Sequence, residues 1–304
     1  MTVLALRALG LGDALTGVPA LRGLKRLYPD RPLVLAGPET VSSWLQRQGV
    51  VDAVIPTAGL TGPPPGRALG SHLAVNLHGR GPESHRLLLD GGPEELIGFD
   101  CPDLGFRRTT VWRADEHEVD RWCRLVRDAG GSCSPEDLRL DVRVEASGAV
   151  LVHPGAASVA RQWPPDRWVA VVTALQDAGR PVVVTGGPAE QELCRLVSKP
   201  TGCEDLSGLL DLDSLAETVA GAELLISGDT GVAHLATAVG TPTVTLFGPT
   251  PPTLWGPAID PDLHTVLYRG TAPGDPHADR PDPALLAITV QEVLAPCGTT
   301  QPCR

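Results

Sequence analysis

SGDTGVAHLATAVGTPTVTLFGP, Ser227 to Pro249, decides how the rest of the chain is read. The apolar run Ala222-Glu223-Leu224-Leu225-Ile226 before it has the look of a short buried strand, and the Ala- and Leu-rich stretch after Gly231 reads as a helix. Between them, Asp229 and Thr230 are placed to cap that helix, while Gly231 lets a ligand approach the backbone closely. The N–H groups of a helix start and the positive end of its dipole suit an anion, and a diphosphate fits best. The helix closes at Gly240, Thr243 to Phe247 gives a second apolar strand, and Gly248-Pro249-Thr250 turns the chain again. The plainer reading is two ordinary strand-to-helix turns.

Working outward, the same alternation recurs. Residues 2 to 8 form an apolar strand, and Leu9-Gly10-Leu11-Gly12-Asp13 leads into a helical pattern carried by Leu15, Val18, Leu21, Leu24 and Leu27. Strands follow at 31–37, 53–55 and 72–77, with helices at 39–48 and 116–129. A fresh strand at 149–152 restarts the pattern, with helices at 165–178, 188–198 and 212–220, and a strand at 181–185. Strands alternating with helices imply an α/β fold of parallel sheets covered on both faces. The expected organisation is a Rossmann-like domain over 1–146, a second over 147–282, and a C-terminal helix and tail over 283–304, the tail poorly ordered. A chain of 304 residues is long enough for two such cores.

Composition narrows the function. The net charge of −11 argues against a nucleic-acid partner. No apolar run reaches the roughly 20 residues needed to span a bilayer, and the N-terminal apolar stretch is broken by Arg7 too early for a signal peptide. A soluble, cytoplasmic protein is expected, with peripheral membrane contact left open. The seven cysteines form no CxxC pair and are read as free thiols. Aromatics make up only 4%, so the cores should be mainly Leu, Val and Ala.

Open parallel sheets bind ligands at the carboxyl ends of their strands, so functional residues belong on strand-to-helix turns. Asp13 sits where the first helix begins. A carboxylate there is favoured by about 0.3–1 kcal/mol and kept ionised, either as a plain N-terminal cap or as a general base for a hydroxyl. In the second half, His153-Pro154-Gly155 ends a strand, and Arg161 follows as a fixed cation suited to phosphate oxygens. Trp163 and Trp168 are read as packing residues. Gly187 and Glu190 follow the next strand, where a carboxylate would reach a ribose or base. His234 either faces the ligand or packs. Asp211-Leu212-Asp213 resembles a metal-binding DxD but fits better as a helix cap, so no metal and no cofactor are expected.

Together LGLGDALTGVPALRGLKRLYPD, HPGAASVARQWPPDRW, VTGGPAEQE and SGDTGVAHLATAVGTPTVTLFGPTPPTLWGP resemble glycosyltransferase family 9, the ADP-heptose:lipopolysaccharide heptosyltransferases. The resemblance implies the GT-B architecture, two Rossmann-like domains facing a cleft, and metal-independent transfer of a sugar with inversion. By it, Asp13 matches the family's catalytic base, and Asp229, Thr230, Gly231 and His234 match its motif for the donor diphosphate and sugar. Arg161 stands where many members have Lys. Glu190 corresponds loosely to a nucleotide-contacting acid, and Gly12, His153, Gly155 and Gly187 join the donor set. Acceptor contacts in this architecture come mostly from first-domain loops, which here carry Asn76, His78 and Arg80. The implied partners are a nucleotide-diphosphate sugar donor, ADP-heptose by the resemblance, and a glycan or secondary-metabolite hydroxyl. Two alternatives use the same pocket: a nucleotide-sugar 2-epimerase of GT-B fold, which needs no acceptor, and a non-catalytic nucleotide-sugar binding protein. The GxGD turn lacks the GxGxxG of a nicotinamide-dependent dehydrogenase.

Overall fold

The computed structural model describes residues 1–298; the expected tail residues 299–304, Cys303 among them, lie outside the described residues. The chain divides into two compact units, Met1–Leu138 and Arg139 onward. This division falls earlier than the residue 146 read from the sequence. The reason is that the coil after Leu138 belongs to the second unit: Leu140 N–H donates to Ala238 O and Ser147 N–H to Gly221 O.

The first unit carries β1 (Thr2–Leu6), β2 (Leu33–Gly37), β3 (Ala53–Pro56), β4 (His72–Asn76) and β5 (Glu95–Ile97), in the order β3-β2-β1-β4-β5. All pairings are parallel. Strands β2 and β4 are buried along their whole length, as central parallel strands covered on both faces must be. Its helices are α1 (Leu11–Thr16), α2 (Val18–Leu27), α3 (Glu39–Arg47), α4 (Glu83–Leu89) and α5 (Glu118–Asp128). The single helix expected after the first turn is two, broken at Gly17.

The second unit repeats the plan with β6 (Val150–His153), β7 (Val182–Val184), β8 (Glu204–Asp205), β9 (Leu224–Gly228), β10 (Thr243–Phe247) and β11 (His264–Tyr268). Their order is β11-β10-β9-β6-β7-β8, again parallel throughout. Helices α6 (Pro165–Asp177), α7 (Gln191–Thr201), α8 (Leu212–Ala220), α9 (Gly231–Val239) and α10 (Pro252–Trp255) follow, then α11 (Pro283–Leu286) and α12 (Val290–Leu294). The last two replace one continuous helix expected over 283–294. Thr289 and Glu292 close a capping box that starts α12 afresh.

The sequence reading of the thiols is corrected, and that of the cores holds. Cys123 and Cys133 are disulfide-bonded, so they are not free; Cys101, Cys194, Cys203 and Cys297 are. The Gly130-Gly131 turn reverses the chain after α5, with Gly131 N–H bonded to Val126 O, and returns Cys133 to Cys123 at a Cα separation of 5.0 Å. The few aromatics are also concentrated inside. Trp163 and Trp168 pack edge to face, centroids 5.0 Å apart, among Val152, Val172, Ile226 and Ile288. Among the described residues no helix is long and apolar enough to cross a membrane.

Trp168 is fully buried in the second core, so Trp168→Ala should cost roughly 3–5 kcal/mol of unfolding free energy in a urea titration. A loss below about 0.5 kcal/mol, the range of ordinary surface changes, would show that this core does not depend on it.

Candidate functional site

In the first unit, β1 and β4 pair with Leu6 opposite Asn76, so the turns that leave them lie side by side. Asp13 is the third residue of α1 and half-buried. Gly10, not Asp13, takes the N-cap position. Gly12 is the second residue of the same helix, in the first unit. Beside them Ala8 N–H donates to His78 Nδ1 at 3.2 Å. That bond requires a lone pair on Nδ1 and leaves the His78 proton on Nε2. Burial, with the Arg7 charge adding to it, lowers the His78 pKa to about 4, so the ring is neutral at physiological pH.

Asn76 does not present its amide to a ligand. It is fully buried, with Nδ2 donating to Ser84 Oγ at 2.8 Å and His85 Nδ1 at 2.9 Å, while Oδ1 accepts the His78 N–H at 3.0 Å. Its work is to hold the His78 turn against α4. His85 continues the chain through Nε2 to Phe99 O at 3.0 Å. Arg80 is exposed. A depression of about 340 Å³ nearby is lined by Arg67 and Arg86 together with Glu83 and Asp90, so its charges are mixed.

One residue that sequence reasoning treated only as an interruption joins these turns. Arg7, 1% exposed, donates through Nε to Asp13 O, through Nη1 to Leu77 O and through Nη2 to Thr16 Oγ1 at 2.9 Å. Nη2 also lies 3.3 Å from Glu118 Oε1. Glu118 in turn pairs with Arg121 and accepts from Trp122 Nε1 at 2.7 Å. The partners stand far apart in sequence, which left the sequence with no local signal for this hub.

The second unit splits the expected donor set in two. The first group closes on itself. Glu190 turns inward, where Oε2 accepts the Gly187 N–H at 2.7 Å and lies 3.5 Å from His153 Nε2. His153 Nδ1 meets Thr185 Oγ1 at 3.1 Å. Burial drives the His153 pKa down, and Glu190 opposes that shift. Gly155 is needed here, because a Cβ at that position would sit 2.2 Å from the Glu190 carboxyl. These four residues therefore tie the turn after β6 to the turn after β7.

The second group is arranged around the start of α9. Strand β9 lies between β6 and β10, with His153 opposite Ser227 and Leu246 opposite Gly228, which brings their turns together. Thr230 holds the N-cap position of α9, and its side chain makes no cap hydrogen bond, contrary to the sequence reading of that residue. The helix thus begins at Gly231 with no contribution from the Thr230 hydroxyl to its first amides. Arg161 Nη1 is 3.5 Å from Asp229 O and 3.9 Å from Asp229 Oδ2; its Nε is buried with no hydrogen-bond partner among the described residues. His234 Nε2 lies 4.0 Å from Asp229 Oδ1, and its ring meets Trp255 edge-on at 5.9 Å. Trp255 lies inside the quoted motif and was not singled out. The segment 270–282 crosses the same turns: Ser158 Oγ donates to Pro276 O at 2.5 Å, Asp282 N–H to Ala160 O and Gly274 N–H to Pro249 O. Asp211 accepts from Ser214 N–H at 2.8 Å and caps α8, as expected for the DxD-like pair.

Two Rossmann-like parallel-sheet units in one chain define the GT-B class of fold. The profile of glycosyltransferase family 9 (heptosyltransferase) matches residues 106–277, more than half of the 304-residue chain, and the chain belongs to that family. The match does not reach Asp13. Among curated relatives, lipopolysaccharide heptosyltransferase 3 of Escherichia coli is 33% identical over 113 residues, 36% of this chain and 33% of that protein. Lipopolysaccharide heptosyltransferase 1 of Pseudomonas aeruginosa is 36% identical over 163 residues, covering 50% and 45%. The aligned stretches thus span between a third and a half of these relatives' length. The glycosyl transferase family 9 structure from Veillonella parvula superposes with a TM-score of 0.81 at 19% identity, covering 98% of this chain and 96% of that one. E. coli ADP-heptose LPS heptosyltransferase II gives 0.78 at 21% identity, with 97% of each covered.

The His78 pKa lies below the ordinary value of 6.5, so between pH 6.5 and about 4 the unfolded chain takes up a proton that the native ring refuses. This contribution is intact above pH 6.5 and is lost as pH falls toward 4. In thermal unfolding followed across that range, His78→Gln should flatten part of the fall seen with the wild type; an unchanged slope would contradict the neutral, buried ring.

Proposed function

We propose that the protein is a metal-independent inverting glycosyltransferase that moves a heptose from ADP-heptose to a hydroxyl of a glycan or related acceptor. The observation that carries this reading is the start of α9, where the Thr230 side chain makes no cap bond, beside Arg161 in a chain of glycosyltransferase family 9. The donor diphosphate would bind the amides around Gly231 and the Thr230 hydroxyl, with Arg161 as countercharge. Asp229 orients Arg161 and His234, and Trp255 fixes the His234 ring.

In the reaction, the Asp13 carboxylate takes the proton of the acceptor hydroxyl. The oxygen attacks the anomeric carbon as its bond to the diphosphate breaks, ADP leaves with the electron pair, and the configuration inverts. Negative charge grows on the leaving diphosphate, where Arg161 and the α9 amides would meet it; losing one such donor costs about 2.7–4 kcal/mol of barrier. His78, neutral with its proton on Nε2, is a hydrogen-bond donor available to an acceptor oxygen. The relatives named lipopolysaccharide heptosyltransferases support heptose as the sugar. The resemblance of the first-turn motif to that of the family supports Asp13 as the base.

Incubation with ADP-heptose and a panel of core-oligosaccharide and other hydroxyl acceptors, followed by ADP release and product mass, tests the reading. Transfer of one heptose per ADP is expected; an epimerised or unchanged donor with no product would refute it. Asp13→Asn should lower kcat by about 10²–10⁴ with donor Kd nearly unchanged. Arg161→Ala should weaken donor binding as well. Normal turnover by Asp13→Asn would remove the base assignment.

A further inference from the structure

We infer that Arg7 is the positioning residue of the first unit: its guanidinium ties the Asp13 turn to the His78 turn and fixes the distance between base and hydrogen-bond donor. This rests on the reading of Asp13 as the base.

The argument starts from what a buried Arg does here. A guanidinium offers five N–H donors in a rigid plane, and a lysine offers none of that geometry. Arg7 spends this fork on main-chain carbonyls from two separate segments, Asp13 O and Leu77 O, and on Thr16 Oγ1, which itself donates to Asp13 O at 2.9 Å. The residue next to Arg7, Ala8, gives its N–H to His78 Nδ1. One residue pair at the end of β1 therefore holds both turns.

The surroundings are built to keep the fork in place. Glu118 neutralises it at 3.3 Å, and the Trp122 ring faces the guanidinium carbon at 4.8 Å. Gly17 leaves the channel through which the side chain passes, since a Cβ there would lie 2.6 Å from Arg7 Cδ and 2.8 Å from Nε. Gly17 has right-handed helical dihedrals, so the backbone itself does not demand glycine. Stability alone gives a weak reason for such an arrangement, because buried ion pairs are often replaceable by apolar residues without loss. Joining two loops that carry reacting groups gives a strong one, because a misplacement of 1 Å can cost about 10²-fold in rate.

Two variants test this from opposite sides. Arg7→Lys keeps the charge and removes the fork; Gly17→Ala keeps Arg7 and pushes it out of its channel. Each should fold, as shown by far-UV circular dichroism and cooperative unfolding, and Gly17→Ala covers the case in which Arg7→Lys does not. With ADP-heptose as donor, both should lower kcat by roughly 10- to 100-fold while donor KM stays within about twofold, since the donor turns lie in the second unit. Full kcat in both, or a loss confined to donor KM, would overturn the inference. The tether has a second readout that needs no turnover. In histidine NMR titrations, Gly17→Ala should raise the His78 midpoint above the wild-type value of about 4, because the guanidinium that helps to depress it has moved. If the wild type shows no transfer, the base assignment fails while this titration still decides the tether; an unmoved His78 midpoint overturns it.

Discussion

Parallel pairing in a fixed register is the constraint on which every functional feature depends. Leu6 opposite Asn76 in the first sheet, and His153 opposite Ser227 opposite Thr245 in the second, set the carboxyl ends of neighbouring strands level with each other. A parallel strand cannot return through a tight hairpin, and β1, β2, β4 and β9 each leave the sheet by a turn into a helix. The turns from adjacent strands therefore converge, and residues remote in sequence such as Arg7, Asp13, Leu77 and His78 become neighbours.

The two units use that convergence differently. In the first, the converging turns are held by a buried ionic hub in which Arg7 and Arg121 pair with Glu118 and donate to the main chain. In the second, hydrogen-bonding capacity is divided between a closed cluster and an open one. Glu190 occupies the space left by Gly155 and takes up the Gly187 N–H and the His153 ring, which keeps the turn after β6 rigid. At the start of α9 the Thr230 side chain makes no cap bond, and Arg161 stands beside it with a buried Nε. A helix start next to a cation is where an anionic ligand gains most.

The fold was legible wherever burial imposes a long apolar signal. β1, β2, β4, β9 and β10 are runs of Leu, Val, Ile and Ala, and the amphipathic helices α2 and α5 show through their spacing. β8 was not legible, because it is two acidic residues at a sheet edge, and edge strands need no apolar alternation. β5, three residues long and only partly buried, gave the same weak signal, as did α4 behind its Gly/Pro-rich lead. At the site, residues whose partners are local could be read: Asp211 as a cap, and Thr230 and Gly231 at a helix start. Residues defined by distant partners could not. Arg7 looks like the polar end of a strand until Leu77 and Glu118 are placed beside it, and Glu190 looks like a surface acid until Gly155 and His153 are. The Cys123–Cys133 bond was missed for the same reason, since a ten-residue spacing carries no recognisable motif.

The central claim is that the turn between β9 and α9 receives the diphosphate of a nucleotide sugar, so that a large share of donor affinity comes from the phosphate farther from the nucleoside. Calorimetric titration of the protein with ADP and, separately, with AMP measures that share directly. The account expects ADP to bind at least about tenfold more tightly, a difference of about 1.4 kcal/mol. Equal affinity for the two nucleotides would contradict it.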